Sequence, residues 1–216
     1  MLMIYTALGD SITFGENASA WKKAYPQAAV SMLNSESRKA HGLVLARRGW
    51  SSYDLLDAVI WKGSPVLGRS SVVTVWIGGI DLVNAALTLA RSKQSQAAAG
   101  AINSYKRNLG AILTHIRKES RARIVCCTQY NPFPNSPVAA ESIARLNGVV
   151  HEVSHQFGAA VAPSHAWFEG KQADLIYGYR TGKIEYALSG SYPIHPNDRG
   201  HQVIARGLVP YLAARR

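Results

Sequence analysis

Five apolar runs of strand length, separated by helical patterns, restrict the fold of this chain more than any other feature. The runs fall at residues 3–8, 43–46, 72–77, 124–127 and 159–162. Several are nearly continuous rather than alternating, as expected of strands covered on both faces in a parallel sheet. Between them, Tyr25, Ala29, Met32 and Leu33 share one face of a helix begun near Pro26, a residue tolerated in a first turn. Ile102, Tyr105, Leu109, Ile112, Leu113 and Ile116 make the cleanest amphipathic pattern. Ile143, Leu146, Val150 and Val153 make another, and Ile204, Leu208 and Leu212 close the chain. Alternation of this kind predicts an α/β fold with three layers, α/β/α, around a mostly parallel five-stranded sheet. The 216 residues suit one domain, 1–216, with a full core.

Composition narrows the function classes. Apolar content of 47% and charged content of 17% fit a globular protein rather than a disordered one. No apolar stretch approaches the roughly 20 residues that span a bilayer, so stable membrane insertion is not expected. No basic segment followed by an apolar run opens the chain, and the expected location is cytoplasmic. The net charge of +11 is spread over pairs such as Lys22-Lys23 and Arg47-Arg48, without interleaved aromatics or a nucleic-acid motif. It reads as a solvated basic surface, with attraction to anionic surfaces or acidic substrates as the alternative. Cys126 and Cys127 are adjacent in a strand, where successive side chains face opposite ways, so they are poorly placed to pair.

Chemistry concentrates where Gly9-Asp10-Ser11-Ile12-Thr13-Phe14-Gly15 follows the first strand. A serine just past the carboxyl end of such a strand sits where α/β sheets bind ligands. Its hydroxyl is a weak nucleophile until a base takes the proton. Of seven histidines, His115, His151 and His155 fall in or beside helices, His41 at the far end of the sheet, and His201 inside the last helix. His165 lies on the correct edge. His195 stands immediately before the last helix, between Pro193 and Pro196, and is the preferred base. It also ends a poorly periodic, glycine-bearing stretch, residues 163–196, of the length that in compact domains serves function.

Four blocks together make the chain resemble the GDSL/SGNH hydrolase superfamily, esterases and lipases of flavodoxin-like fold. They are the heptad above, then Arg48-Gly49-Trp50-Ser51, then Ile77-Gly78-Gly79-Ile80-Asp81-Leu82, then His195-Pro196-Asn197 followed by Gly200-His201. The resemblance implies a serine carboxylic-ester hydrolase with Ser11 as nucleophile and His195 as base. It implies an oxyanion hole from the backbone N–H groups of Ser11 and Gly49, with no cofactor and no metal. Two departures stand out. Ile80 occupies the position of the third oxyanion donor, an asparagine in the family, and Asn84 one helical turn on is an alternative donor. Tyr192 occupies the position of the aspartate that orients the histidine, which points to a Ser11–His195 dyad supported by a carbonyl of residues 191–193. Asp174 is a weaker candidate partner, and Asp198 reads as the cap of the last helix, with Asn197 as the alternative cap.

Asp10 and Asp81 read as turn braces near the site rather than proton carriers. His151 and His155 lack the carboxylate placement of a zinc hydrolase. Phe14, Trp50, Tyr130 and Trp167 are the candidate pocket residues, among loop aromatics that also include Phe133. They suit short to medium acyl or aryl esters, with small-molecule substrates as the partners and no nucleic acid. The alternatives are a carbohydrate O-acetyl esterase and, because of Ile80, an impaired homologue that binds an ester or glycan with little turnover.

Overall fold

β3 (Val72–Trp76) forms the middle of a five-stranded sheet, between β1 (Met3–Gly9) and β4 (Arg123–Cys127), with β2 (Ala40–Ala46) and β5 (Ala160–Ala162) at its edges. The computed structural model describes residues 2–36, 39–92, 96–185 and 193–214, and within them the side chains of residues 86–99 are left aside. Every pairing is parallel, in the order β2-β1-β3-β4-β5. That is the flavodoxin-like order, in which the chain reverses direction across the sheet between β1 and β3. The sheet is thus parallel throughout, and the strand-length apolar runs mark all five strands.

Period-two alternation divides two cores. Tyr5, Ala7, Val72, Trp76, Val125 and Cys127 face one side, while Leu8, Val73, Val75, Ile124 and Cys126 face the other. Cys126 and Cys127 are therefore buried on opposite faces and unpaired. Burial pushes the Cys126 thiol up to about 11 and that of Cys127 higher still.

The first face is covered by α2 (Tyr25–Ser35) and by α10 (Asp198–Ala213), through Tyr25, Ala29, Leu33, Ile204, Leu208 and Leu212. The second is covered by α3 (Ser52–Lys62), α6 (Gln96–Glu119) and α7 (Pro137–Gln156). Short helices α1 (Ser11–Phe14), α4 (Ser64–Leu67), α8 (Ser164–Phe168) and α9 (Gln172–Leu175), together with α5 (Gly79–Ser92), complete the described helices. No helix among the described residues is long and apolar enough to cross a membrane.

Candidate active site

Ser11 is the first residue of α1, two positions past the end of β1. Asp10 caps that helix, its Oδ1 accepting from the Ile12 N–H at 3.0 Å. The chain turns so tightly here that a Cβ on Gly9 would lie 2.2 Å from Thr13 Oγ1 and 2.3 Å from the Trp76 carbonyl. Glycine alone fits.

His195 reaches Ser11 from the other end of the chain, with Nε2 2.8 Å from the serine Oγ. Five hydrogen bonds set its backbone and that of its neighbours. The Tyr177 N–H donates to the His195 carbonyl at 2.9 Å, and the Asn197 N–H donates to the Leu175 carbonyl at 2.9 Å. These belong to an antiparallel bridge between Ile176 and Pro196. The Tyr130 hydroxyl donates to the Ile194 carbonyl. Asn197 caps α10 by accepting from the Gly200 N–H at 3.0 Å, and its Nδ2 donates to the Asp174 carbonyl at 2.9 Å.

Burial of the imidazole, with His201 and Arg48 nearby, pulls His195 down to about 4. It is neutral near pH 7, as a base must be. The expected cap at Asp198 is corrected: its carboxylate accepts from the Ser19 N–H, the Ser19 hydroxyl and Lys23 Nζ at 2.7–2.8 Å. Those partners hold Asp198 down to about 2. The Asp174 carboxylate lies in solvent, 4.0 Å from Arg199, so it faces away from His195. Ser191 and Tyr192, the expected carbonyl support, lie outside the described residues, and Pro193 is the one member of that set within them.

His201, six residues on, serves structure. Its Nδ1 accepts from the Tyr25 N–H at 3.3 Å, so its Nε2 carries the proton it donates to the Glu16 carbonyl at 3.0 Å. His165 pairs with Thr128 Oγ1 at 2.8 Å, away from Ser11.

The Ser11 N–H occupies the first turn of α1, where helices leave amides without intrahelical acceptors. Gly49 follows β2, which pairs with β1 up to Gly9↔Ala46, so both residues emerge at one edge on neighbouring strands. Gly49 takes φ 76°, a left-handed conformation suited to glycine. Its loop is pinned on one side by the Ser51–Asp54 capping box of α3. On the other, Arg48 pairs with Glu16 and stacks over the Phe14 ring at 5.3 Å.

Ser11 and His195 open onto a cleft of about 240 Å³ that also meets Asp10, Ile80, Gln129, Tyr130 and Phe133. Val83, Val138, Ile143, Ile184 and Ile194 make its wall apolar. Of the four candidate pocket residues, Tyr130 lines the cleft and three are corrected. Phe14 is exposed beneath Arg48, Trp50 packs on the α3–α6 core, and Trp167 packs against Gly207 of α10. Loop aromatics are a poor signal for the cleft because a parallel sheet buries its loop ends too. The wall residues that sequence reasoning misses are aliphatic side chains of α5 and α7, which look like core positions in the sequence, and Ile184 and Ile194 of the poorly periodic stretch.

Asp81 does not touch the cleft. It ties α5 to the start of α3, accepting from the Ser52 N–H at 2.9 Å and the Ser52 hydroxyl at 2.5 Å, and Asn108 of α6 donates to that hydroxyl at 2.9 Å. Asp10 is fully buried, and desolvation foremost, with Asp81 adding repulsion, pushes its carboxyl up to about 7.

Known proteins place this arrangement. The chain is 22% identical to the spore germination lipase LipC of Bacillus licheniformis, over 96% of this chain and 95% of that one. The lipase Lip_vut3 from a goat rumen metagenome superposes with a TM-score of 0.82 at 21% identity, over 99% of each chain. A catalytic mutant of Axe2, an acetylxylan esterase from Geobacillus stearothermophilus, does so at 0.74 and 15% identity, over 99% of this chain and 95% of that one. At such identities the structural likenesses speak for the fold. A model of the GDSL-like lipase/acylhydrolase family matches residues 7–203, nearly the whole length, and the chain belongs to that family, a hydrolase of the esterase and lipase type.

Proposed function

We propose that the protein is a serine carboxylic-ester hydrolase acting on short to medium acyl or aryl esters through a Ser11–His195 acyl-enzyme. The observation that carries this reading is the 2.8 Å contact between Ser11 Oγ and His195 Nε2 at the mouth of an apolar cleft. His195 Nε2 takes the hydroxyl proton as Ser11 Oγ bonds to the ester carbonyl carbon, and the carbonyl electron pair moves to oxygen. The N–H groups of Ser11 and Gly49 meet that charge. Collapse breaks the ester C–O bond, and His195 returns its proton to the departing alcohol. Water then repeats the sequence on the acyl-enzyme, releasing acid and free Ser11.

A second reading, a carbohydrate O-acetyl esterase, draws on the acetylxylan esterases among its structural likenesses. The aliphatic cleft wall favours an acyl chain over a sugar. The test is a fluorophosphonate label together with Ser11→Ala. Label on Ser11 and hydrolysis lost in the variant support the mechanism, and hydrolysis that survives in Ser11→Ala rejects it. Turnover of p-nitrophenyl butyrate against acetylated xylooligosaccharides separates the two readings.

A further inference from the structure

Gln129 follows β4 by two residues and lines the cleft, with only 4% of its surface exposed. Its backbone is fixed at both polar atoms by one side chain of α7. Asn147 Oδ1 accepts from the Gln129 N–H at 2.7 Å, and Asn147 Nδ2 donates to the Gln129 carbonyl at 2.9 Å. Its carboxamide is fixed as well. The indole N–H of Trp76 can only donate, so the amide atom 3.0 Å from it is Oε1. The NH₂ end is therefore turned away from Trp76. Nε2 is buried and has no acceptor among the described residues.

A buried amide donor without a partner is an exception that asks for a ligand. Its place in the sheet says which one. Gly9 pairs with Trp76 and Val75 with Cys126, so one further rung puts Cys127 beside Trp76. Ser11 and Gln129 each stand two residues past that level, on the strands flanking β3. The chain after β3 enters α5 between them, and Ile80 in the first turn of that helix lines the cleft with a side chain that has no donor. A longer amide side chain, one strand further along the sheet, lines the same cleft as Ile80.

We propose that Gln129 donates from Nε2 to the ester carbonyl oxygen, supplying the third oxyanion hydrogen bond that Ile80 cannot. This rests on the esterase reading above. As Ser11 Oγ bonds to carbon, the carbonyl electron pair becomes the charge that Nε2–H stabilises, and no proton leaves Gln129. Trp76 and Asn147 are its positioning residues.

The experiment compares Ser11→Ala, Gln129→Glu and Gln129→Met, the last two with and without Ile80→Asn, on p-nitrophenyl acetate and butyrate. Gln129→Glu keeps an acceptor for Trp76 and loses the NH₂ donors. It is expected to lower kcat on the order of 10²-fold on both esters with KM changed less than about threefold. Part of that loss returns as pH falls, because the carboxyl introduced by Gln129→Glu regains one donor when it is protonated. Gln129→Met shows the loss without the pH-dependent recovery, and Ile80→Asn restores at least about tenfold in either background.

Hydrolysis lost in Ser11→Ala but unchanged in folded Gln129→Glu and Gln129→Met overturns the Gln129 proposal alone. So does a loss confined to KM or to butyrate. Hydrolysis that survives Ser11→Ala overturns the esterase mechanism and this proposal with it. Should the Gln129 variants fail to fold, Ile80→Asn in the otherwise unaltered chain decides. A gain under about threefold means the third donor is already present, and a gain on the order of 10² means it is absent and rejects the proposal.

Discussion

His195 Nε2 lies 2.8 Å from Ser11 Oγ although 184 residues separate them in sequence. The contact joins the two ends of the chain across the sheet edge where β1 and β3 diverge. Loop-closure entropy on that scale is offset by the packing of α10 on α2 and by backbone hydrogen bonds on both sides of the histidine. Among the described residues no carboxylate raises the proton affinity of His195: burial, His201 and Arg48 all lower it.

The activity should therefore persist into acid. With the free-enzyme base held down to about 4, kcat/KM for a neutral ester is expected to fall to half near pH 4. A stopped-time assay from pH 3 to 8, corrected for unfolding by circular dichroism, checks this. A midpoint near pH 6.5 would mean that an acidic partner supports the imidazole.

Asp10 makes the opposite contribution to stability. Its folded value, about 7, lies above the ordinary carboxylate value of 3.8, so the folded state binds more protons between those limits. Its contribution is fully present below about pH 4 and is lost as pH rises through 7. His195 and His201, depressed by burial, work the other way, and their contribution is lost as pH falls below 6.5. Between about pH 4 and 7 the Asp10 carboxyl offsets part of the histidines' loss, so Asp10→Asn is expected to steepen the decline in Tm as pH falls below 6.5. Calorimetry across pH 5–8 on both proteins measures it.

Asp81 should matter for stability more than for chemistry. Removing it leaves the buried Ser52 N–H and hydroxyl without their charged acceptor. Asp81→Ala is expected to cost about 2 kcal/mol, a Tm fall of roughly 4–8 °C. A fluorophosphonate should still label Ser11 in the folded variant.

The cleft wall is expected to set the acyl-chain length of the ester. Ile143 of α7 lines the cleft and is only partly buried, so a larger side chain there has room to intrude. Ile143→Trp is expected to lower kcat/KM for hexanoate by about tenfold or more while leaving acetate nearly unchanged. A series of p-nitrophenyl esters from acetate to octanoate reads this directly.

Much of this was legible in the chain, for physical reasons. Strands in a parallel sheet are buried on both faces, so runs such as residues 72–77 announce themselves without tertiary information. The order of Ser11, Gly49, Ile80 and His195 along the sequence follows from the fixed edge of the sheet at which successive loops emerge. The contents of the cleft did not follow. Whether Val83 faces the cleft depends on the rotation of α5, and whether Trp50 does depends on the path of the loop before α3, neither of which periodicity determines. Gln129 carries no local signal, because its meaning comes from the Trp76 indole 53 residues away. The cap of α10 went to Asn197 rather than Asp198 because Lys23 and Ser19, distant in sequence, claim the carboxylate.

The Ile176–Pro196 bridge separates holding the histidine from shaping the cleft. It fastens the backbone at both ends of the segment 177–195, so His195 is held by residues outside that segment, Ile176 and Leu175 on one side and Pro196 and Asn197 on the other. Ile184 and Ile194 within that segment line the cleft, so substitution there is expected to change which esters fit while the bridge holds the His195 backbone beside Ser11.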